Sequence, residues 1–511
     1  VCLLLKNLKL FNNMKIVIVG GGSSGWIAAS TLIGVPNAEV TVIESPTVPK
    51  VGVGESTIDG FIEWMNLIGI NPEDMMKDTD ASYKLAIKFE NFLVPGHHFY
   101  YPFGTFGIEK KYYESWSKRA FIDRERHHAF SDTFFANMAL IRQKKFKKDS
   151  LSFPHNCYAL HFDASKFGPW LWEKYCKPRG VKRIEIDVTH IETDENGINY
   201  VELADGHQVK ADLFIDCTGF KSLLLEGALK EPFKNYSNIL PNNMAWATHI
   251  PYIDKEKELE SVTNCTALGN GWVWNIPIWS RIGTGYVYSN KFITDDQALE
   301  EFKQHLKKGG RDPETLEYKK IQMKNGIHER IWVKNVVAVG LSAGFIEPLE
   351  STGLWFSHEL SSNLLRILFR GAPPNQHDRD CFNHICNWQW NQLVTFVGQH
   401  YALSARQDTD YWKAVAATKF PLEENFVRAT FDLSDRFFSM WPGGNAIAAG
   451  FEHYFYDQTH FWKKVHPKNQ DWKQIYKDEF DELDIARSTW WKEAEGAESL
   501  MSVLEKIHNK V

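Results

Sequence analysis

Gly20, Gly22 and Gly25 make a G-x-G-x-x-G run, and Glu44 stands roughly 20 positions further on. Glycines at that spacing let backbone N–H groups close on a pyrophosphate, and an acid at that distance meets a ribose hydroxyl, so the set fits a dinucleotide. A second group, Glu350-Ser351-Thr352-Gly353, stands where an apolar helical run begins. Helix starts carry unpaired N–H groups and partial positive charge, which suits a small anion at Thr352 and Gly353. Ser351 or Thr352 reads equally as an N-cap, and Glu350 as an ordinary acid near a helix N-terminus. Lys84 and Lys88 lie in Ser82-Tyr83-Lys84-Leu85-Ala86-Ile87-Lys88-Phe89. Alternation there places Tyr83, Leu85, Ile87 and Phe89 on one strand face and both lysines on the other, and two solvated lysines on a half-buried strand is the plain account. Trp272 and Trp274 share a face of the Gly271 to Ile278 run, and tryptophans so placed pack more often than they carry a substrate.

These residues need a scaffold. Lys15 to Val19 is a β-branched apolar run of the length of a strand buried on both faces, and Gly20 follows it directly. Trp26 to Ile33 suits a helix, Pro36 stops it, and Glu39 to Glu44 reads as the next parallel strand, completing a β-α-β unit. Ala211 to Gly219 and Asn335 to Gly340 repeat the grammar of an apolar strand ending in glycine. Three such ends suit a ligand as long as FAD better than a compact nicotinamide site, while the bland account makes Gly219 and Gly340 ordinary core turns. Gly54 belongs to Gly52-Val53-Gly54-Glu55-Ser56-Thr57, a glycine-rich loop that says little by itself. Phe356, Leu360, Leu364 and Leu368, spaced by four, predict a helix that stops near Gly371, Pro373 and Pro374.

The FAD-binding core over 14–374 is therefore expected to be discontinuous, assembled from about 14–105, 155–235 and 325–370, with inserted segments at about 106–154 and 236–324. Residues 1–13 read as an extension before Met14, and 375–511 as a mostly helical substrate-binding and capping region.

Composition narrows the function classes. The 511 residues carry 58 Lys+Arg against 64 Asp+Glu, and a net charge of −6 offers no basic field for nucleic acid or an anionic membrane. No apolar run reaches the ~18 residues of a membrane span. Seven cysteines without a C-x-x-C pair make no zinc set, and their odd number suits a reducing cytoplasm. No metal is expected. The aromatic share of 14%, with 19 Trp, is the outlier, and most of the tryptophans in the C-terminal third are expected to pack.

The combination of GGGSSGW, VGVGEST, SYKLAIKF, GWVWNIP, RIGTGYVYS, DLFIDCTGF and GFIEPLESTG resembles the flavin-dependent halogenases of the tryptophan-halogenase family, over most of Met14 to about Pro374. The resemblance implies an α/β chain with an FAD-binding Rossmann-like core of the GR2 flavoprotein type, a mixed sheet and a largely helical C-terminal substrate subdomain. It implies a two-component oxidoreductase. A separate NAD(P)H-dependent flavin reductase supplies FADH2, which with O2 and a halide ion (chloride, bromide or iodide) forms hypohalous acid. That acid passes to a Lys/Glu site for electrophilic halogenation of an aromatic or heteroaromatic substrate.

By matching motifs, Gly20, Gly22, Gly25 and Glu44 hold the FAD, with Gly54, Gly219 and Gly340 at its other contacts, and Thr352 with Gly353 holds the halide. Lys84 hydrogen-bonds or captures the hypohalous acid, and Glu350, with Ser351 beside it, assists transfer or accepts the arene proton. Trp272 and Trp274 keep the flavin and substrate compartments apart. Tyr101 and Phe103 belong to an aromatic segment that stacks on a flat substrate, and Trp462 is a further substrate contact. Glu452-His453-Tyr454-Phe455-Tyr456 and His460-Phe461-Trp462 match the composition but not the order of the tryptophan clasp in tryptophan-specific members, so free tryptophan is not the expected substrate. A homodimer is left open. Lys84 and Glu350 are expected to face one dry chamber. Two rivals remain: a flavin-dependent aromatic hydroxylase that reduces its own flavin, and a non-catalytic flavoprotein-like binding module.

Overall fold

The computed structural model describes residues 13–48, 55–104, 112–148, 158–418, 447, 450–451 and 470–509. The chain divides into two units, one comprising Val1–Ala81, Phe162–Asn243 and Gln322–Leu393, the other Ser82–His161, Met244–Ile321 and Val394–Val511.

The first unit is built on a mixed six-stranded sheet. β1 (Met14–Val19) pairs in parallel with β2 (Ala38–Glu44) on one side and with Leu213–Asp216 on the other. Val336–Ala338 continues the sheet in parallel beyond Leu213–Asp216, Lys182–Glu185 does so beyond β2, and Trp332–Val333 closes one edge antiparallel. Ile16, Val17, Ile18 and Val19 are all buried, which is why β1 is apolar without alternation. Helix α1 (Ser23–Leu32) crosses from β1 to β2 and is buried continuously from Gly25 to Leu32, so it carries no polar face. It is held on one side by the Gly353–Leu368 helix, where Ser24 Oγ and Ser357 Oγ lie 2.9 Å apart. That second helix follows the expected spacing, with Phe356, Leu360, Leu364 and Leu368 buried, and Gly371 takes a left-handed φ of 75° just beyond its end. The parallel register brings the carboxyl ends of β1, Leu213–Asp216 and Val336–Ala338 to one edge, since Val19 is level with Asp216 and Asp216 with Ala338.

The second unit contains a seven-stranded sheet ordered Lys319–Gln322, Met244–Ile250, Ile282–Tyr288, Gly271–Pro277, Val262–Ala267, β5 (Ala86–Glu90) and β6 (His98–Pro102). The run read as one strand over 82–89 is broken. β4 (Ser82–Lys84) pairs antiparallel with the Ala159–Phe162 strand, whereas β5 pairs in parallel with Val262–Ala267. Leu85 turns the chain between the two sheets, its N–H donating to Ser261 O at 2.6 Å and its carbonyl accepting Phe103 N–H at 2.8 Å. After residue 375 the described elements are almost all helical: Gln376–Ala402, Asp410–Ala416, Trp472–Ile475, Lys477–Glu495 and Leu500–His508. Among the described residues no helix is long and apolar enough to cross a membrane.

Candidate active site

At the glycine edge of the first unit, backbone geometry dictates residue type. Gly20 has a φ of 116° and lies against the Cys217 carbonyl, so no side chain fits there. A Cβ on Gly21 would strike the Glu44 carboxylate, and one on Gly25 would strike the Gly20 carbonyl. Gly22 differs: a Cβ there meets no atom within 4 Å, and this N-cap of α1 has no side-chain hydrogen bond. An uncapped helix start facing open space fits the pyrophosphate of FAD. Glu44 is buried at the end of β2, its Oε1 accepting Arg183 Nε–H at 2.9 Å, so its orientation is fixed. Gly219 has a φ of 71° and a clear outer face. Its turn is pinned by the buried Asp216 carboxylate, which accepts Thr218 N–H (3.0 Å), Leu224 N–H (2.8 Å) and Leu225 N–H (2.9 Å). Gly340, φ 72°, sits instead where a Cβ would press on Ser24 at the start of α1, so it permits close packing there.

Glu350, Ser351 and Thr352 are all buried, in a tight turn that enters the Gly353–Leu368 helix. Ser351 holds a left-handed φ of 58°, strained for a serine, and its hydroxyl donates to Ser56 Oγ at 3.0 Å. Ser56 lies in β3 (Glu55–Ser56), so this strand braces the turn. Thr352 occupies the N-cap position of this helix but makes no side-chain cap hydrogen bond. Gly353 has ordinary backbone geometry, and a Cβ on it would meet nothing within 4 Å. The helix starts at Gly22 and Gly353 have in common the lack of a side-chain cap and a glycine with open space before it. Glu55 was not singled out by the motifs. Burial, and secondarily the Asp163 carboxylate, push its carboxyl up to about 7.

In the second unit Lys84 is fully buried, which overturns the solvated-lysine account. The break at Leu85 is the reason, because it takes residue 84 out of the alternation of β5. The Lys84 ammonium lies 4.9 Å from the centroid of the Phe103 ring, within cation–π range. Phe103 is itself buried and tied by its carbonyl to Asn137 Nδ2 at 2.9 Å. Tyr101 is partly buried and edge-on to Phe396 at 6.0 Å. Lys88 is paired with Glu90. Trp272 and Trp274 are buried on one face with ring centroids 6.3 Å apart. Trp274 lies level with Gly285, where a Cβ would strike its indole, so the glycine of the RIGTGYVYS run makes room for that ring. His161, another residue the motifs did not mark, is buried opposite Ser82 in the β4 pairing. Lys84 belongs to the second unit and Glu350 to the first. Gly54, Trp462 and the Glu452 to Tyr456 run lie outside the described residues. Among the described residues no cluster of three or more His, Cys, Asp or Glu is arranged to hold a metal ion.

A family model described as tryptophan halogenase matches residues 15–473. The chain belongs to the tryptophan halogenase family. Tryptophan 7-halogenase RebH from Lentzea aerocolonigenes is 35% identical over 425 residues, 78% of each chain. Among solved structures, VirX1 in its apo form aligns over 98% of this chain and 99% of its own, with a TM-score of 0.87 and 33% identity. BrvH, a flavin-dependent halogenase from Brevundimonas sp. BAL3, aligns over 98% of this chain and 99% of its own, with a TM-score of 0.83 and 28% identity. The expected enzyme class, a flavin-dependent halogenase of the tryptophan halogenase family on an α/β core with mixed sheets and a helical C-terminal region, holds.

Proposed function

We propose that this enzyme halogenates an aromatic or heteroaromatic substrate, using FADH2 delivered by a separate flavin reductase. The observation that carries this reading is the burial of Lys84, an ammonium kept wholly out of water on a three-residue strand and facing an aromatic ring. A buried cation is costly, and its retention on a fully buried strand fits a catalytic role.

Bound reduced FAD supplies two electrons that, with O2, a halide ion and a proton, yield hypohalous acid and water. The amides at the start of α1 hold the pyrophosphate, and Glu44, oriented by Arg183, takes a ribose hydroxyl. The Thr352 and Gly353 N–H groups hold the halide by partial positive charge, without offering a competing proton. Lys84 donates a hydrogen bond to the hypohalous oxygen, drawing electrons from the halogen and making it electrophilic. In the transfer a carbon–halogen bond forms and the halogen–oxygen bond breaks. Glu350 receives the arene proton, while the leaving hydroxide takes a proton from the Lys84 ammonium and departs as water, and the two side chains exchange that proton with solvent before the next turnover. Tyr101 and Phe103 supply aromatic surface for a flat substrate. Trp272 and Trp274 keep the two compartments separate. Chloride, bromide and iodide all fit the halide site by its chemistry.

The test is a coupled assay with reductase, NADH, FAD and bromide. Lys84→Ala is expected to lose halogenated product while NADH-driven flavin oxidation continues. Product at the unsubstituted enzyme's rate would overturn the role of Lys84.

A further inference from the structure

A chain of hydrogen bonds inside the second unit passes beside Lys84. His161 stands directly opposite Ser82, two residues before Lys84, in the pairing of β4 with Ala159–Phe162. The Ser82 hydroxyl donates to the carbonyl oxygen of Pro277, at the end of the strand that carries Trp272 and Trp274. With its proton committed there, Ser82 Oγ accepts from the ring, so the proton of His161 is on Nδ1, which lies 3.4 Å away. Nε2 then carries a lone pair and accepts Thr263 Oγ1–H at 2.8 Å. The polarity runs one way: Thr263 to His161 to Ser82 to the Pro277 carbonyl. All three side chains are buried, and they join β4 to Val262–Ala267 and to Gly271–Pro277.

The ring in this chain is uncharged. Burial, followed by the Lys84 ammonium, holds the imidazole well below its ordinary value, with the Pro277 carbonyl opposing. A charged ring would need a second N–H where Thr263 now donates, and would set two cations beside each other. A neutral ring with both nitrogens engaged fixes the strand without competing for what the ammonium binds.

We propose that His161 is a positioning residue for Lys84: as its Nδ1–H tautomer it clamps β4 between Thr263 and the Pro277 carbonyl, so that the ammonium of residue 84 keeps one location over the Phe103 ring. The inference rests on the role proposed above for Lys84. It differs from a merely structural role in what it moves. A fold-supporting histidine, once removed, lowers every activity of the enzyme together. A positioning histidine lets hypohalous acid form and then escape.

The experiment uses the full chain with reductase, FAD, NADH, bromide and an aromatic substrate. It measures brominated product and, separately, hypobromous acid captured by monochlorodimedone, at matched flavin turnover. His161→Asn, Thr263→Val and Thr263→Ser are compared, with Lys84→Ala as reference. Thr263→Val keeps the side-chain shape, so it reports even if His161→Asn does not fold. His161→Asn and Thr263→Val are expected to lower the ratio of product to captured acid about 10- to 100-fold, the loss a misplacement of about 1 Å causes. Thr263→Ser, which restores the donor, is expected to return the ratio to near that of the unsubstituted enzyme. An unchanged ratio in Thr263→Val, or product and captured acid falling in parallel, overturns the inference while an uncoupled Lys84→Ala leaves the reading of Lys84 standing. If Lys84→Ala keeps its product, both fall.

Discussion

The glycine edge of the first unit and the lysine strand of the second solve opposite problems. At Gly22 and at Thr352–Gly353 the chemistry belongs to the backbone: helix starts without side-chain caps, glycines facing open space and, at the second, a turn held by the remote Ser56. At Lys84 it belongs to one side chain, buried by a break between sheets and surrounded by Phe103, His161 and Ser82. Gly20, Gly21 and Gly25 admit no added Cβ, and Gly22 and Gly353 leave open space before their amides. The lysine site depends instead on the identity of one side chain, and it carries the cost of a desolvated charge.

The comparison can be broken in four places. Glu350→Gln leaves the glycine edge intact, so it is expected to cut halogenated product about 100-fold or more with FAD affinity unchanged, the effect of losing a positioned base; steady-state kinetics beside a flavin fluorescence titration check it. Gly21→Ala sets a methyl against the Glu44 carboxylate. It is expected to weaken FAD binding by about 10-fold or more, since a backbone approach to pyrophosphate admits no extra side chain, with little change in halide KM once flavin is saturating.

Glu55→Gln sharpens the contrast through pH. The folded Glu55 carboxyl titrates at about 7 against an ordinary 4.5, so the folded state binds the extra proton and stability falls as pH rises through that window. Glutamine stays neutral. The variant is expected to match the parent below pH 4.5 and to exceed it by up to about 3 kcal/mol above pH 7, read from urea unfolding across pH. Lys84→Met is the smallest. It relieves the desolvation of a buried charge but gives up the contact of the ammonium with the Phe103 ring, so the unfolding free energy is expected to change by less than about 1 kcal/mol, and a strongly lowered unfolding midpoint would show that Lys84 is a structural cation.

The first unit was legible because its signals are local. A strand, a glycine turn, a helix and an acid follow one another within Lys15 to Glu44, and the 353–368 helix is written in its own four-residue spacing. The second was legible only in part. Alternation over 82–89 put Lys84 on a solvated face, because the break at Leu85 that ends it depends on Ser261 and Phe103, outside the run. His161 carries no local mark either: its partners Ser82 and Thr263 are reached only through sheet pairing, and the raised carboxyl of Glu55 follows first from burial and then from Asp163. Thr352 takes the cap position with its side chain outside the cap, and the neighbouring Ser351 turns its hydroxyl to the distant Ser56, which nothing local marks. Motif resemblance named Lys84 and Glu350 where periodicity gave them no special standing.

The central claim is that this chain transfers halogen, rather than oxygen, to an aromatic ring. It is tested most directly by mass spectrometry of reactions with reductase, FAD, NADH and either chloride or bromide, over a panel of phenols, indoles including free tryptophan, and pyrroles. The account predicts a product in which one hydrogen is replaced by the halogen supplied, identified by its isotope doublet and absent without halide. A product carrying one added oxygen, formed equally with and without halide, would contradict it.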